Sequence, residues 1–314
     1  MQLYQAPLEG ITGYIYRQAL AECFGGVDKY FAPFISPYEK RILTDKEKNQ
    51  LCCEHNKVTK LVPQILTMDA KGYVELTDWL YEKYGYDEFN LNFGCPSGTV
   101  VSKGRGAGAL GDLDKLEAFL DEIFALSKYK ISIKTRIGLH NADELEDILA
   151  LYNKYDLEEL IIHPRIRDEL YKGRPHKDLY RIASEKSKNT LVYNGDVAKD
   201  TDLYLDDGRP ITDNVMIGRA MIANPSVFRE LKGGERATSE ELSYFLDRIL
   251  DDYSKEFSGE IPVLHKMKEI WSYMGPFVVE TYGIDEKLIK KLIKSKHLSE
   301  YRIMKKEVLS NLNK

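Results

Sequence analysis

The sequence predicts an α/β chain folded as a (β/α)8 TIM barrel with a small C-terminal helical domain. Short apolar or β-branched runs alternate with longer amphipathic stretches, the pattern of βα units that feed a parallel sheet. There are eight such runs, at residues 3–6, 29–33, 61–65, 88–92, 131–136, 160–163, 191–194 and 215–218, the number a closed barrel requires. Each run also exits on a segment richer in functional groups than a turn needs.

In chain order the exits are Pro7-Leu8-Glu9, Pro33-Phe34, Gln64, Asn92-Phe93-Gly94-Cys95, Lys134-Thr135-Arg136, His163-Pro164-Arg165, Asn194-Gly195-Asp196 and Gly218-Arg219. An ordinary exit offers Gly, Asp or Ser as turn formers, whereas barrel enzymes build their chemistry at this face from strand ends and βα loops. Helical patterns lie between the runs at 73–84, 113–126 and 143–155, the last with Leu145, Ile148, Leu149 and Tyr152 at helical spacing. From about Glu240 the chain reads as helices, with Leu242, Phe245, Leu246 and Ile249 on one face and Ile270, Trp271 and Met274 further on. Lys232-Gly233-Gly234-Glu235 is the expected linker, dividing a barrel domain at 1–232 from a helical domain at 236–314.

Composition narrows the classes. The 314 residues are 43% hydrophobic and 30% charged, which excludes disordered and collagen-like chains. A net charge of −5 argues against non-specific coating of nucleic acid but leaves room for a local basic face. Cys23, Cys52, Cys53 and Cys95 form no C-x-x-C pair, so no metal site is expected. Cys52 and Cys53 sit in an apparent helix and read as semi-buried small hydrophobes. The start, Met1-Gln2-Leu3-Tyr4-Gln5, lacks a basic segment and leads into a strand; no signal peptide, no membrane span and a reducing, cytoplasmic location are the expectations.

The exits suggest chemistry. A phosphate site after strands seven and eight is frequent in these barrels, and Asn194, Gly195, Asp196, Gly218 and Arg219 offer close backbone approach, N–H donors and a guanidinium fork. Taken singly, each glycine segment reads as an ordinary turn. Lys134 alternates with Ile131, Ile133 and Thr135, which turns it toward the barrel mouth, where a cation needs a partner; an outward, snorkelling lysine is the plainer alternative. Gln64 and Asn92 can hydrogen-bond the edge of a planar heterocycle. His163 ends an apolar strand, where a lone histidine is usually a core residue, and its company is what raises it to a candidate. Cys95, between Gly94 and Pro96, is the one cysteine at a strand exit; nucleophile and general acid are both open to it. Gly104–Leu110 looks like a nucleotide-binding glycine loop but starts too far from its strand and lacks a ribose-binding acid. It is expected to be a mobile loop whose Lys103 and Arg105 meet a polyanion.

Together these segments resemble the tRNA-dihydrouridine synthases. The resemblance rests on 6–12 with Arg17, on Pro63-Gln64, on Asn92-Phe93-Gly94-Cys95-Pro96 with Val100 and Gly106, and on Lys134-Thr135-Arg136. It continues through His163-Pro164-Arg165 with Tyr171 and Gly173, Asn194-Gly195-Asp196 and Met216–Ala220, covering about residues 4–230. It implies FMN at the barrel mouth, with Pro7, Leu8 and Glu9 against the ring and Gln64, Lys134 and His163 near its polar edges, where Asn92 is the further candidate read from its strand exit. Asn194, Gly195, Asp196, Gly218 and Arg219 would then hold the phosphate. It further implies NADPH (or NADH) as reductant, a uridine reduced across C5–C6, and Cys95 as proton donor to C5. Leu8 stands where the family usually has Met. Pro164 replaces a common Gly or Ala and removes a backbone N–H, which leaves the placement of Arg165 open.

The implied partner is tRNA, whose target base must leave its stack to reach such a site, and a monomer suits an enzyme that clasps a large RNA. Lys103, Arg105, Arg165, Arg167 and Arg174 are the proposed RNA contacts, within a wider cluster of Lys172, His176, Lys177 and Arg181. The tail, with Lys287, Lys290, Lys291, Lys294, Lys296, Arg302, Lys305 and Lys306, is basic in an acidic protein. A flavin-dependent reductase of a free pyrimidine and a non-catalytic RNA-binding barrel are the rival readings. The first would not need the basic tail, and the second would not bind a flavin.

Overall fold

Alternation decides what each strand shows to the interior. In the computed structural model, which describes residues 1–39, 41–57 and 60–312, nine parallel strand segments form one sheet: β1 (Gln2–Gln5), β2 (Lys29–Phe31), β3 (Leu61–Val62), β4 (Gln64–Ile65), β5 (Glu88–Phe93), β6 (Lys130–Gly138), β7 (Leu160–Ile166), β8 (Leu191–Tyr193) and β9 (Asn214–Ile217). Their order is β3-β2-β1-β9-β8-β7-β6-β5-β4. Segments β3 and β4 are one run divided at Pro63, which has no N–H to give the ladder. The first half pairs with β2 and the second with β5. Eight strand positions therefore close into a barrel, as the sequence predicts.

Residues two apart share a face. Phe89, Leu91 and Phe93 of β5 and Ile131, Ile133 and Ile137 of β6 are fully or almost fully buried on one face. Glu88, Asn90 and Asn92, with Ser132, Lys134 and Arg136, occupy the other. An apolar layer of Tyr4, Ala6, Phe31, Val62, Ile161, Val192 and Met216 fills the interior. At the amino end of the strands Lys29 is buried between Glu88, at 3.0 Å, and Glu159, at 3.1 Å, and the Tyr4 hydroxyl donates to Glu159.

The outer helices follow the sequence patterns with sharper ends. Ala70–Tyr84 starts on Asp69, whose carboxylate accepts from Gly72 N, and stops on Gly85 at φ 77°, a left-handed position suited to glycine. Leu113–Leu126 is capped by Asp112. The 143–155 pattern resolves into a 3-10 turn, Ala142–Glu144, and a helix, Leu145–Tyr152. Cys52 and Cys53 lie outside a helix of this length: Asp45–Leu51, opened by a Thr44–Glu47 capping box, ends at Cys52, and Cys53 begins a 3-10 turn and is exposed.

The chain packs as two compact units, Met1–Pro7 with Asp28–Ile217, and Leu8–Val27 with Gly218–Lys314. The first contains the whole barrel sheet. The second unites the helix Tyr14–Cys23 with Ser239–Glu256, Glu260–Tyr282, Glu286–Lys294 and Leu298–Ser310. Tyr16 and Phe24 meet Phe245 edge-on at 5.6 and 5.2 Å, and Trp271 Nε1 donates to Tyr301 Oη at 3.1 Å. The glycine run at 232–235 lies inside this unit and folds back on Arg229, which donates to Glu235 O while Gly234 N donates to Arg229 O. Arg229 also forks onto Glu241 at 2.8 and 2.9 Å, and that contact holds the Glu241 carboxyl down at about 2. Lys305 of the basic tail is buried against Asp247, at 2.6 Å, and Ser243; it is a packing lysine, not a surface cation.

Candidate active site

The inward residues of β4, β5 and β6 form a relay of amides. Gln64 Nε2 donates to Asn90 Oδ1 at 2.7 Å, Asn90 Nδ2 to Ser132 Oγ at 2.9 Å, and Asn92 Nδ2 to Gln64 Oε1 at 2.8 Å. All four residues are buried, so the relay supplies hydrogen bonds that buried amides otherwise lack. It fixes each amide's orientation through its partners. Asn92 Oδ1, at the end of the relay, accepts from Gly94 N at 3.0 Å and Cys95 N at 2.9 Å. The sequence suggests that Asn92 faces a ring; it leaves unseen that Asn92 also holds the backbone of the cysteine turn. The N-x-G-C spacing carries that signal, because an Asn side chain reaches the N–H groups two and three residues on.

The carbonyls of the same turn are equally engaged. Arg136 Nε donates to Gly94 O at 3.0 Å, Ala107 N to Cys95 O at 3.0 Å and Arg167 Nε to Pro96 O at 3.3 Å. A Cβ on Gly106 would fall 2.8 Å from Cys95 O and from Val100 Cγ1, at a φ of +55°. Gly106–Gly111 is thus a 3-10 turn packed on the cysteine segment, with Gly106, Ala107, Ala109 and Leu110 buried. This differs from the expected mobile loop: the glycines admit close packing. Lys103 is exposed and Arg105 partly so.

Lys134 stands beside this turn. Among the described residues its ammonium has no ion pair or hydrogen-bonding partner. Burial, reinforced by Arg136 and opposed by Cys95, lowers its pKa to about 7. An inward cation without a counter-charge is costly and is characteristic of functional sites.

Strand β7 brings the next group. Its pairing with β6 runs from Arg136↔His163 to Gly138↔Ile166, two steps on one strand against three on the other. The extra residue makes a bulge, which tolerates Pro164 without an N–H and resolves the placement of Arg165. Arg165 is fully buried. It donates to Lys172 O at 3.2 Å, Gly173 O at 2.7 Å and His163 Nε2 at 3.0 Å, and it pairs with Asp196. An exposed RNA-gripping role for Arg165 is therefore corrected: its donors tie His163, the following loop and Asp196 together. His163 is itself buried and stacks with Tyr171 at 6.0 Å.

Asn194 Nδ2 donates to Met216 O at 2.8 Å. A Cβ on Gly195 would meet Tyr193 Oη at 2.8 Å and Pro175 Cβ at 3.0 Å, and Asp196 takes a φ of +49°. The side chains of Asn194 and Asp196 are thus engaged within the protein. Pro7 is the last residue of its segment of the barrel unit, whereas Leu8, Glu9, Gly218 and Arg219 belong to the second unit. There Leu8 N donates to Thr12 Oγ1 at 2.8 Å, and Gly218 precedes the short helix Arg219–Ala223.

The basic cluster after β7 is largely paired: Arg167 with Asp168, His176 with Glu169, Arg181 with Glu185, and Lys177 with the carbonyls of Asp202 and Tyr204. Lys172 and Arg174 remain exposed. No group of three or more His, Cys, Asp or Glu residues able to hold a metal occurs among the described residues, and no helix among them is long and apolar enough to cross a membrane.

Comparison with known proteins bears on this geometry. The family model described as dihydrouridine synthase (Dus) matches residues 4–299. The chain belongs to the dihydrouridine synthase family. Family membership makes it an oxidoreductase. It is 30% identical over 315 residues to the probable tRNA-dihydrouridine synthase of Staphylococcus aureus strain Mu50, covering 95% of this chain and 90% of that one. It is 29% identical over 270 residues to the probable tRNA-dihydrouridine synthase 2 of Bacillus subtilis strain 168, covering 80% and 78%. Among solved structures it is similar to histamine dehydrogenase from Rhizobium sp. 4-9, with a TM-score of 0.56, 11% identity and coverage of 74% of this chain and 45% of that one. A variant of NCR from Zymomonas mobilis gives a TM-score of 0.50, 14% identity and coverage of 75% and 88%. At such identities the two structures speak for the barrel fold alone.

Proposed function

We propose that this family member is an FMN-dependent tRNA-dihydrouridine synthase that reduces the C5–C6 double bond of uridine, with Cys95 as the proton donor to C5. The observation that carries the reading is the unpartnered Lys134 beside a cysteine turn held on every side. A cation turned into the barrel with no protein counter-charge supports an electron-rich ring as its partner, and the Gln64–Asn92 amides and His163 offer polar contacts for that ring's edges. The backbone of Asn194, Gly195 and Asp196 suits the ring's phosphate. Pro7, Leu8, Glu9, Gly218 and Arg219 enter the proposal through family resemblance.

FMN bound there, recharged by NADPH or NADH, would supply hydride to C6 of the uracil. The protein's part is proton chemistry and placement. The Cys95 thiol gives its proton to C5 and regains one from solvent, and the relay ending on Asn92 keeps the thiol's backbone still. For the RNA, exposed Lys103, Lys172 and Arg174 in the barrel unit, and exposed Lys287, Lys291 and Lys294 in the helical unit, are the proposed backbone contacts. The part from residue 236 onward is the proposed RNA-binding domain.

The test compares dihydrouridine in the tRNA of cells with and without the gene, alongside the absorption spectrum of the purified protein. Loss of dihydrouridine at defined positions and a flavin spectrum are expected. Unchanged tRNA at every position, or a protein that refuses FMN, overturns the assignment. Turnover of free uracil in place of tRNA would favour the small-substrate reductase.

A further inference from the structure

The turn that carries Cys95 is also held at its outer edge, through Pro96. Pro96 has no N–H, so its carbonyl is its only backbone hydrogen-bonding group, and Arg167 Nε donates to it at 3.3 Å. Arg167 is held at two further points. Its backbone N donates to Gly138 O at 2.9 Å, just beyond the β6–β7 bulge, and its Nη1 donates to Asp168 Oδ1 at 2.9 Å. Asp168 Oδ2 is in turn 2.7 Å from His140 Nδ1 of the loop after β6. The Arg167 side chain is only partly exposed, at 26%. A cation waiting for phosphate would leave its fork open to solvent; this one spends two of its donor nitrogens on the protein.

We infer that Arg167 is a positioning residue for Cys95, bracing the Pro96 carbonyl from the β6 and β7 loops, and not a contact to RNA. The inference rests on the reading of Cys95 as the acid. Asn92 and Arg136 hold the inner side of the turn and Ala107 its middle; Arg167 reaches its outer carbonyl. Arginine suits the role because its planar fork can address Pro96 O and Asp168 at once. Lysine, with a single nitrogen, can satisfy one of them.

The experiment measures three quantities in the full-length flavin-loaded protein and its Arg167→Ala, Arg167→Lys and Arg174→Ala variants. They are the single-turnover rate of uridine reduction at saturating tRNA, the Kd for tRNA, and the rate at which iodoacetamide alkylates Cys95, with Cys53 as an internal reference. For Arg167→Ala we expect the single-turnover rate to fall by roughly tenfold to a hundredfold, the scale of small misplacements of a reacting group. Its Kd should stay within about twofold, Cys95 alkylation should change severalfold, and Cys53 should be unaffected. Arg167→Lys should restore part of the rate. Arg174→Ala, at a proposed RNA contact, should weaken the Kd for tRNA. An Arg167→Ala protein with weakened tRNA binding and a normal saturated rate would overturn the inference in favour of an RNA contact, and unchanged values throughout would overturn it outright. Alkylation reports on the turn without any turnover. If Arg167→Ala changes Cys95 alkylation while a Cys95→Ala enzyme reduces uridine at the wild-type rate, the acid reading is refuted and the bracing role stands.

Discussion

At the scale of single residues, Lys134 carries the most testable consequence. Its pKa in the folded protein, about 7, lies below its usual 10.5. Between these values the unfolded chain holds a proton that the folded chain does not, so this group makes stability rise with pH across that window. Below about 7 both states are protonated and the full cost of the desolvated charge remains. In flavin-free protein, Lys134→Met should therefore be more stable than the parent at pH 7 by urea denaturation, with the gap narrowing toward pH 10. A variant less stable than the parent at pH 7 would mean that the ammonium has a partner and that the site lacks the vacancy proposed for a ring. Much of this residue level is legible in the sequence. Period-two alternation turns Lys134, Asn92 and Gln64 inward, and Cys95 stands out by its neighbours. What the sequence conceals is partnership. Arg165 reads as a surface cation because pattern shows charge and position, while its four contacts come from residues up to 31 positions away.

At the scale of elements, the packing of the 3-10 turn Gly106–Gly111 on the cysteine segment gives a second prediction. Gly106→Ala places a Cβ into Cys95 O and Val100 at a left-handed φ. Overpacking and backbone strain together should cost about 1–4 kcal/mol in thermal or chemical denaturation. Uridine reduction should suffer more than FMN content, since the displaced atoms belong to the cysteine turn. A fully stable and active alanine variant would show that the turn is looser than described. The glycine run was legible as unusual but not as packed, because the same composition serves a loose loop or a tight backbone contact. Similarly, Pro164 reads as a stiffened turn, yet the extra residue that accommodates it appears only in the β6–β7 register. Strand number and helix positions were readable because periodicity encodes them directly; bulges and caps depend on partner strands.

At the scale of the whole molecule, the barrel is closed around a charged plug that the sequence does not announce. Lys29 and Glu88 lie on β2 and β5 and Glu159 just before β7, the two acids 59 and 130 residues from the lysine, a juxtaposition that barrel closure creates. Burial raises the Glu88 pKa, with Lys29 pulling against it. Removing the lysine leaves buried carboxylates uncompensated, so Lys29→Met should destabilise the protein by about 3–5 kcal/mol at neutral pH. The loss should shrink in mild acid, where Glu88 takes up a proton and the uncompensated charge disappears. An equal loss at pH 5 and pH 7 would point to packing instead of charge. The division into two compact units, with residues 8–27 packing with the C-terminal helices, was likewise invisible to a reading that follows chain order. The central claim at this scale is that the barrel delivers a proton from Cys95 to a uridine. Its most direct test is to mix reduced, flavin-loaded enzyme anaerobically with unmodified tRNA and to follow flavin reoxidation and dihydrouridine formation in wild type and Cys95→Ala. The account predicts equal flavin content and a single-turnover rate lower by about 10²- to 10⁴-fold in the variant, the range of a general acid; a Cys95→Ala enzyme that forms dihydrouridine at the wild-type rate would contradict it.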